Sequence, residues 1–309
     1  MESTASNESA LSFPRRFWRY QSERFPLVQH SPLVAAFSAC AVIFPTLLAD
    51  AVLPGWEAFA GAFIVCLWFF FQLRIADEFK DNEEDTQFRP YRPVPRGLIK
   101  LRELGILFVI GALIQAAVAW YLAPALLIIL AIAWAYLALM SVEFFAGDWL
   151  KARPITYLWT HMLIMPLVDL FATACYWLPA GSHPGLPLVA FLAASFANGL
   201  VIEVGRKCRQ PDDEEDGVPT YSKLWGRDRS VTVWLGCQIA TGAFAILAAL
   251  AAGTVWLVAA VLGAAFAYSL VQRRRFINGH HGKCIETASG IWTLALYLAL
   301  GPLSWLLVR

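Results

Sequence analysis

"GAFIVCLWFFFQLRIADEFKDNEEDTQFRPYRPVPRG", residues 61 to 97, joins two kinds of sequence that rarely touch. Its first part is apolar and aromatic. Its second part carries Asp77, Glu78, Asp81, Glu83, Glu84 and Asp85, followed by Arg89, Arg92 and Arg96 among prolines. A charged block at the mouth of a greasy segment is costly unless the segment ends at a membrane surface and the charges have a task there.

The rest of the chain agrees with a membrane setting. Of its 309 residues, 59% are hydrophobic and 15% charged, whereas a soluble domain is about half apolar and a quarter charged. Windows of about 20 apolar residues fall near 32–53, 57–75, 103–121, 124–145, 155–178, 186–205, 231–251, 254–271 and 287–308. The expectation is an all-α integral membrane protein: a nine-helix transmembrane bundle over residues 31–309, preceded by a cytoplasmic or interfacial segment, 1–30. That segment has no apolar core of a cleavable signal. It reads as an interfacial helix, with Phe13, Phe17, Trp18 and Tyr20 toward lipid and its arginines toward headgroups. With a cytoplasmic N-terminus, all of the 24 basic residues except Arg309 lie on one side, a strong positive-inside pattern. In the absence of an organelle address, a bacterial inner membrane with the polar loops cytoplasmic is the default. The six cysteines have no CxxC spacing and read as small core hydrophobes.

Asp77, Asp81 and Asp85 are spaced four apart, so a continuing helix carries them on one face, with Glu78 beside them. Stacked carboxylates repel unless a cation sits among them. Hard oxygen donors suit Mg²⁺, which takes one or two carboxylates plus phosphate oxygens and water. Arg89, Arg92 and Arg96 are then candidate phosphate clamps; the bland alternative is a solvated loop whose acids and arginines pair with each other.

A second acidic station, "NGLVIEVGRKCRQPDDEEDGVPTYSKLWG" (198–226), repeats the layout after the sixth span. Glu203 closes the apolar run, Arg206 and Lys207 follow, and Asp212, Asp213, Glu214, Glu215 and Asp216 come next. Two such stations on one membrane face suggest a single site built from two halves, with internal duplication as a plausible origin. Such a site would hold two metal ions on one polyphosphate.

The first block resembles the signature of the UbiA superfamily of intramembrane prenyltransferases, N-x-x-x-D-x-x-x-D followed by R-P-[LIV]-x-x-G. Asp77 stands at the Asn position, Glu78 at the frequent following Asp, Asp81 and Asp85 at the later aspartates, and "RPVPRG" (Arg92 to Gly97) fits the trailing element. That family has nine helices and acidic motifs after helices two and six. The second motif departs from the family pattern: Arg206, Lys207 and Arg209 stand where acids are usual. Either the second metal site is rearranged or these bases hold diphosphate directly.

The resemblance implies that Mg²⁺ and basic groups bind an isoprenyl diphosphate and assist its ionisation, and that the prenyl group passes to a lipophilic or aromatic acceptor. Nucleic acid is not an expected partner. Catalytic candidates are Asp77, Asp81, Asp85 and Glu203. Metal-ligand candidates are Asp77, Glu78, Asp81, Asp85, Asp212, Asp213 and Asp216. Diphosphate candidates are Arg92, Lys151, Arg153, Arg206, Lys207 and Lys223; Lys151 and Arg153 serve the positive-inside rule equally well. Aromatic faces that could steady a carbocation are Trp68 to Phe71, Phe144, Phe145, Tyr157 and Phe196, each equally at home in packing or lipid contact.

Asp169 lies in mid-membrane, where an ionisable residue is a functional candidate by default. It reads either as a candidate proton acceptor or as a protonated acid bonded to another helix, with Asn198 the candidate partner; His161 lies on roughly the same face. "NGHHGKC" (278–284) shows no acidic partner nearby and reads as a solvated loop. A terpene cyclase on the same scaffold is the near alternative. A cation-dependent transporter is the distant one, disfavoured because only Asp169 is deep in the membrane.

Overall fold

The computed structural model describes residues 11–308, and all regular structure among them is helical. α1 (Phe13–Arg24) starts with Pro14 in its first turn, where a missing N–H costs nothing. α2 (Leu27–Leu48) and α3 (Trp56–Lys80) form the first antiparallel pair, and a short α4 (Asn82–Phe88) continues from α3. α5 (Leu101–Leu122) and α6 (Leu126–Ser141) form the second pair. A left-handed turn and α7 (Gly147–Lys151) then lead into α8 (Pro154–Met162) and α9 (Ile164–Trp177), which together make one interrupted crossing. α10 (Leu186–Arg206) leads through a polar loop to α11 (Tyr221–Trp225). α12 (Arg227–Ala252), α13 (Val255–Ile277), α14 (Lys283–Leu298) and, after a π-turn at Ala299–Leu303, α15 (Ser304–Val308) complete the chain.

Among the described residues, eight helical segments are long and apolar enough to cross a membrane; α6, at 16 residues, is the shorter apolar helix at the remaining expected position. The helices close into a ring: α14 packs on α2, and α2, α9 and α10 form the interior. α2 is mostly buried, whereas α5, α12 and α13 turn most of their surface outward. That division follows from composition, since α5 and α6 are apolar all round and need no polar face in a bilayer.

Side-chain amides and hydroxyls tie the helices where no water is present to pair with them. Gln115 of α5 donates to the Val65 carbonyl of α3 (3.1 Å) and accepts from the Trp134 indole of α6 (3.1 Å). Trp234 of α12 donates to Ser289 of α14 (2.9 Å). Gly205 allows that crossing, because a Cβ there would collide with the Ser289 hydroxyl.

α1 corrects one expectation. Phe13 and Trp18 are exposed, but Tyr20 is fully buried and Phe17 packs edge-on against Phe71. Tyr20, Phe25, Phe71, Ile75, Leu98, Ile99 and Leu104 make a small core of their own beneath α1. Two of the four aromatics read as lipid-facing therefore anchor α1 to the protein instead.

Candidate active site

The helical hydrogen-bond spacing runs through the first acidic block despite the break between α3 and α4: Asp81 N–H donates to the Asp77 carbonyl (2.9 Å) and Asp85 N–H to the Asp81 carbonyl (2.8 Å). The side chains nevertheless go to different partners. Glu78, 2% exposed, meets Arg24 of α1 at 2.5 Å. Burial alone would drag the Arg24 guanidinium down; the Glu78 charge outweighs it and leaves the group above its ordinary range. Glu78, a metal-ligand candidate by sequence, is thus engaged in fastening α1.

Asp85, also 2% exposed, is gripped by Arg89 (2.8 Å) and Arg92 (2.7 Å). Arg96 forms a two-pronged pair with Glu23 of α1 (2.7 and 2.8 Å). The arginines of this block are accordingly occupied by acids, which for them is the bland alternative. They fold the 89–97 segment back on itself and onto α1.

Asp77 and Asp81 remain. Asp77 has only Arg74, at 3.3 Å. Asp81 has no ion pair among the described residues, and burial together with the neighbouring Asp77, Asp85 and Glu84 pushes its carboxyl above the usual range against the pull of Lys80. Lys80 donates to the Tyr157 hydroxyl (2.8 Å), which in turn donates to Glu143 (3.3 Å). Glu143, Phe144 and Phe145 have φ of 49°, 54° and 57°, a run of left-handed residues without a glycine. Such residues are strained by roughly 1–2 kcal/mol each.

The second station faces the first. Glu203, at the end of α10, is paired with Arg206 (2.6 Å) and Lys207 (2.9 Å). Arg206 lies within electrostatic reach of Asp77 and of Glu286. Lys207 stands over the Tyr221 ring at 5.6 Å. The 210–220 loop arches over α4: the Tyr91 hydroxyl donates to Glu215 (2.9 Å), and Gly217, at φ +71°, lies so close to Phe88 that a Cβ would overlap its ring. Glu214 accepts from the Thr220 hydroxyl (2.6 and 2.8 Å), and Thr220 caps α11 by accepting from the Lys223 N–H. The Lys223 ammonium donates to the Glu215 carbonyl (2.6 Å).

Asp212 and Asp216 are exposed. Asp213 lies 2.9 Å from His281 Nε2 and accepts from the Gly282 N–H (3.3 Å). The 278–284 loop, expected to lack an acidic partner, therefore has one and is bound to the second station. Lys151 pairs loosely with Glu84 (3.4 Å), and Arg153 stacks on Trp149 at 4.4 Å.

Asp169 is fully buried, and among the described residues neither of its oxygens makes a hydrogen bond of ordinary geometry, although Ser195 lies beside it. Ser195, Tyr297 and Cys40 are the polar groups around it. The Tyr297 hydroxyl lies 3.2 Å from Ser195 Oγ, and Asn198 accepts from Thr293 (3.1 Å). Sequence reasoning passed over Lys80, Arg74 and Glu143 as site residues. For Lys80 and Arg74 a signal existed: each lies one helical turn or less from Asp77.

A family model described as the UbiA prenyltransferase family matches residues 34–294. The chain belongs to the UbiA prenyltransferase family. Its fold is that of solved UbiA proteins. An apo UbiA homolog from Aeropyrum pernix K1 superposes with a TM-score of 0.68 at 13% identity, covering 90% of this chain and 98% of that one. A structure described under digeranylgeranylglyceryl phosphate synthase gives 0.55 at 15% identity, covering 89% and 98%. No curated protein matches the chain. This UbiA-family chain is accordingly an integral, multi-pass membrane protein.

Proposed function

We propose that this protein is a Mg²⁺-dependent intramembrane prenyltransferase, which holds an isoprenyl diphosphate at the junction of its two acidic stations and transfers the prenyl group to a lipophilic or aromatic acceptor. The observation that carries the reading is the uneven pairing of the acids. Among the described residues, Glu78, Asp85 and Glu203 are each held by one or two bases, while Asp81 has no ion pair and Asp77 only a long one. Two under-compensated carboxylates one turn apart fit Mg²⁺, whose remaining sites are filled by phosphate oxygens and water. Among the described residues no group of three or more His, Cys or acidic side chains converges, so a cation here would need phosphate oxygens and water to complete its shell. When bound, Mg²⁺ offsets the negative charge that develops on a departing diphosphate.

The protein's own groups do the remainder. Asp77 and Asp81 orient the cation, and Arg206, Lys207 and Lys80 present positive charge around the same space. Glu203 holds Arg206 and Lys207 in place rather than acting on substrate. The 210–220 loop and α4 form a partial cover beside the site, with Asp77 and Arg206 still open to solvent. Asp212, Asp213 and Asp216 lie out on that cover, so in this reading the basic cluster of the second station, not its acids, meets the diphosphate. Lys151 and Arg153 stand at the rim as candidates for first contact with the incoming headgroup.

Purified protein in detergent, given labelled farnesyl or geranylgeranyl diphosphate with and without Mg²⁺, tests this directly. Mg²⁺-dependent diphosphate release that disappears in Asp81→Ala is expected. Release that needs no cation, or none from either substrate, refutes it. A hydrocarbon formed without acceptor would reassign the same site to cyclisation.

A further inference from the structure

One buried base is left unused by this scheme. His161 sits in the last turn of α8 and is 7% exposed. Its Nδ1 lies 2.8 Å from the Tyr157 carbonyl oxygen. A ring nitrogen facing a carbonyl carries the hydrogen, so in the neutral imidazole the lone pair is on Nε2. That Nε2 is buried and, among the described residues, has no hydrogen-bond partner, a condition that costs about 1–3 kcal/mol in an interior. The ring is fixed on both sides: it stacks on Tyr157 at 3.9 Å and 11°, and Phe144 meets it edge-on at 6.0 Å.

The surroundings place this nitrogen beside the proposed reaction centre. Tyr157 bears the Lys80 ammonium on its hydroxyl, and the charges acting on His161 are Lys80 and Asp77 from α3 and Glu203 from α10, one from the first station's cation, one from its acid and one from the second station. Glu143 reaches the same Tyr157 hydroxyl. Asp169, the other candidate, lies eight residues further, about 12 Å along a helix. The carbon under attack is bonded to the diphosphate, so the group that takes the proton must lie near the headgroup end. His161 meets that condition and Asp169 does not.

We propose that His161 Nε2 is the proton acceptor of the transfer step, for an acceptor whose nucleophile loses a proton, such as a hydroxyl or a phenol. This rests on the prenyl-transfer reading. In the step, the C1–O bond of the prenyl diphosphate breaks and its electron pair leaves with diphosphate. The pair on the acceptor oxygen forms the new bond to C1, and the acceptor's proton passes to Nε2. The resulting imidazolium is balanced by Glu203 and Asp77 and returns its proton to water when product leaves. Lys80 opposes that charge, which keeps the protonated state short-lived.

The test uses the full chain in detergent with geranylgeranyl diphosphate, Mg²⁺, and water or 1-octanol as nucleophile, comparing His161→Gln and His161→Ala with the unaltered protein. Binding of a non-ionising geranylgeranyl thiolodiphosphate is measured in parallel. The expected result is a fall in product formation of about a hundredfold or more, the scale of general-base catalysis, with analogue affinity within twofold. The rate should rise with pH in the unaltered protein and lose that limb in His161→Gln, and imidazole should restore His161→Ala by tenfold or more. Product formation within threefold and an unchanged pH profile in His161→Gln overturns the inference while leaving prenyl transfer standing. A matching loss of analogue binding also overturns it, by making the residue structural. An unaltered protein that consumes no diphosphate overturns the parent reading along with it.

Discussion

Arg24 and Glu78 separate two roles for the first acidic block. Their side chains are 13% and 1% exposed, and they meet across 54 residues of sequence. Removing Arg24 leaves a carboxylate in the interior without a counter-charge, at a cost of about 3–5 kcal/mol. For a chain of this size, about 2 °C of melting temperature per kcal/mol converts this to a fall of roughly 6–10 °C for Arg24→Ala. Glu78→Gln keeps the shape and a hydrogen-bond acceptor but leaves Arg24 unneutralised; its fall should be smaller, because Arg24 is nearer to solvent. Thiol-reactive or tryptophan-based melting curves in detergent measure both. The same variants report on function: if Glu78 fastens α1, Glu78→Gln shifts the Mg²⁺ concentration for half-maximal activity by less than twofold, whereas a metal ligand would shift it by tenfold or more. A melting shift below 2 °C in Arg24→Ala, or a large Mg²⁺ shift in Glu78→Gln, would refute the reasoning.

Asp81→Asn should abolish Mg²⁺-dependent release yet raise the melting temperature. A carboxyl whose ionisation is disfavoured in the fold destabilises the protein when charged, and the amide removes that charge. By the same sign, stability from this group grows as pH falls through its raised range, while cation-dependent activity is lost there, at a higher pH than an ordinary aspartate would give; paired melting and activity profiles read both. Phe145→Gly should stabilise the protein by about 1 kcal/mol, since a left-handed residue that is 85% exposed gives up strain and little packing; a melting shift of about 2 °C upward checks it. Gly217→Ala should slow turnover and raise proteolysis of the 210–220 loop, because its Cβ has no room beside Phe88; unchanged digestion would contradict the loop's placement.

The crossings and the first motif were legible because each depends on local sequence: a run of apolar residues about 20 long, and carboxylates four apart. What each carboxylate faces was not legible. Asp77, Glu78, Asp81 and Asp85 look alike along the chain, yet Arg24, Arg89 and Arg92 divide them into held and unheld, and Arg24 arrives from 54 residues away. Tyr20 and Phe17 misled for a related reason, since amphipathic periodicity reports which residues share a face but not whether that face meets lipid or protein. His281 found Asp213 across 68 positions of sequence, a pairing that no spacing rule anticipates. The basic departures at Arg206 and Lys207 were visible from the start; that Glu203 pairs with both became clear only from the helix end.

The shortness of α6 has a consequence for the surrounding lipid. Sixteen residues rise about 24 Å, against a hydrocarbon layer of about 30 Å. Ile128, Ile132 and Leu139 are exposed on it, an apolar face suited to acyl chains. A crossing by α6 would fall short by about 6 Å, a mismatch that bilayer thinning or snorkelling of flanking residues meets at fractions of a kcal/mol per ångström. Because α6 ends at Ser141, immediately before the strained turn that carries Glu143 and Phe144, thinning on that side would bring the headgroup plane toward the proposed reaction centre. An amphiphile diffusing in the leaflet would reach this point with its polar end already lowered toward the depth at which Tyr157 and Lys80 wait.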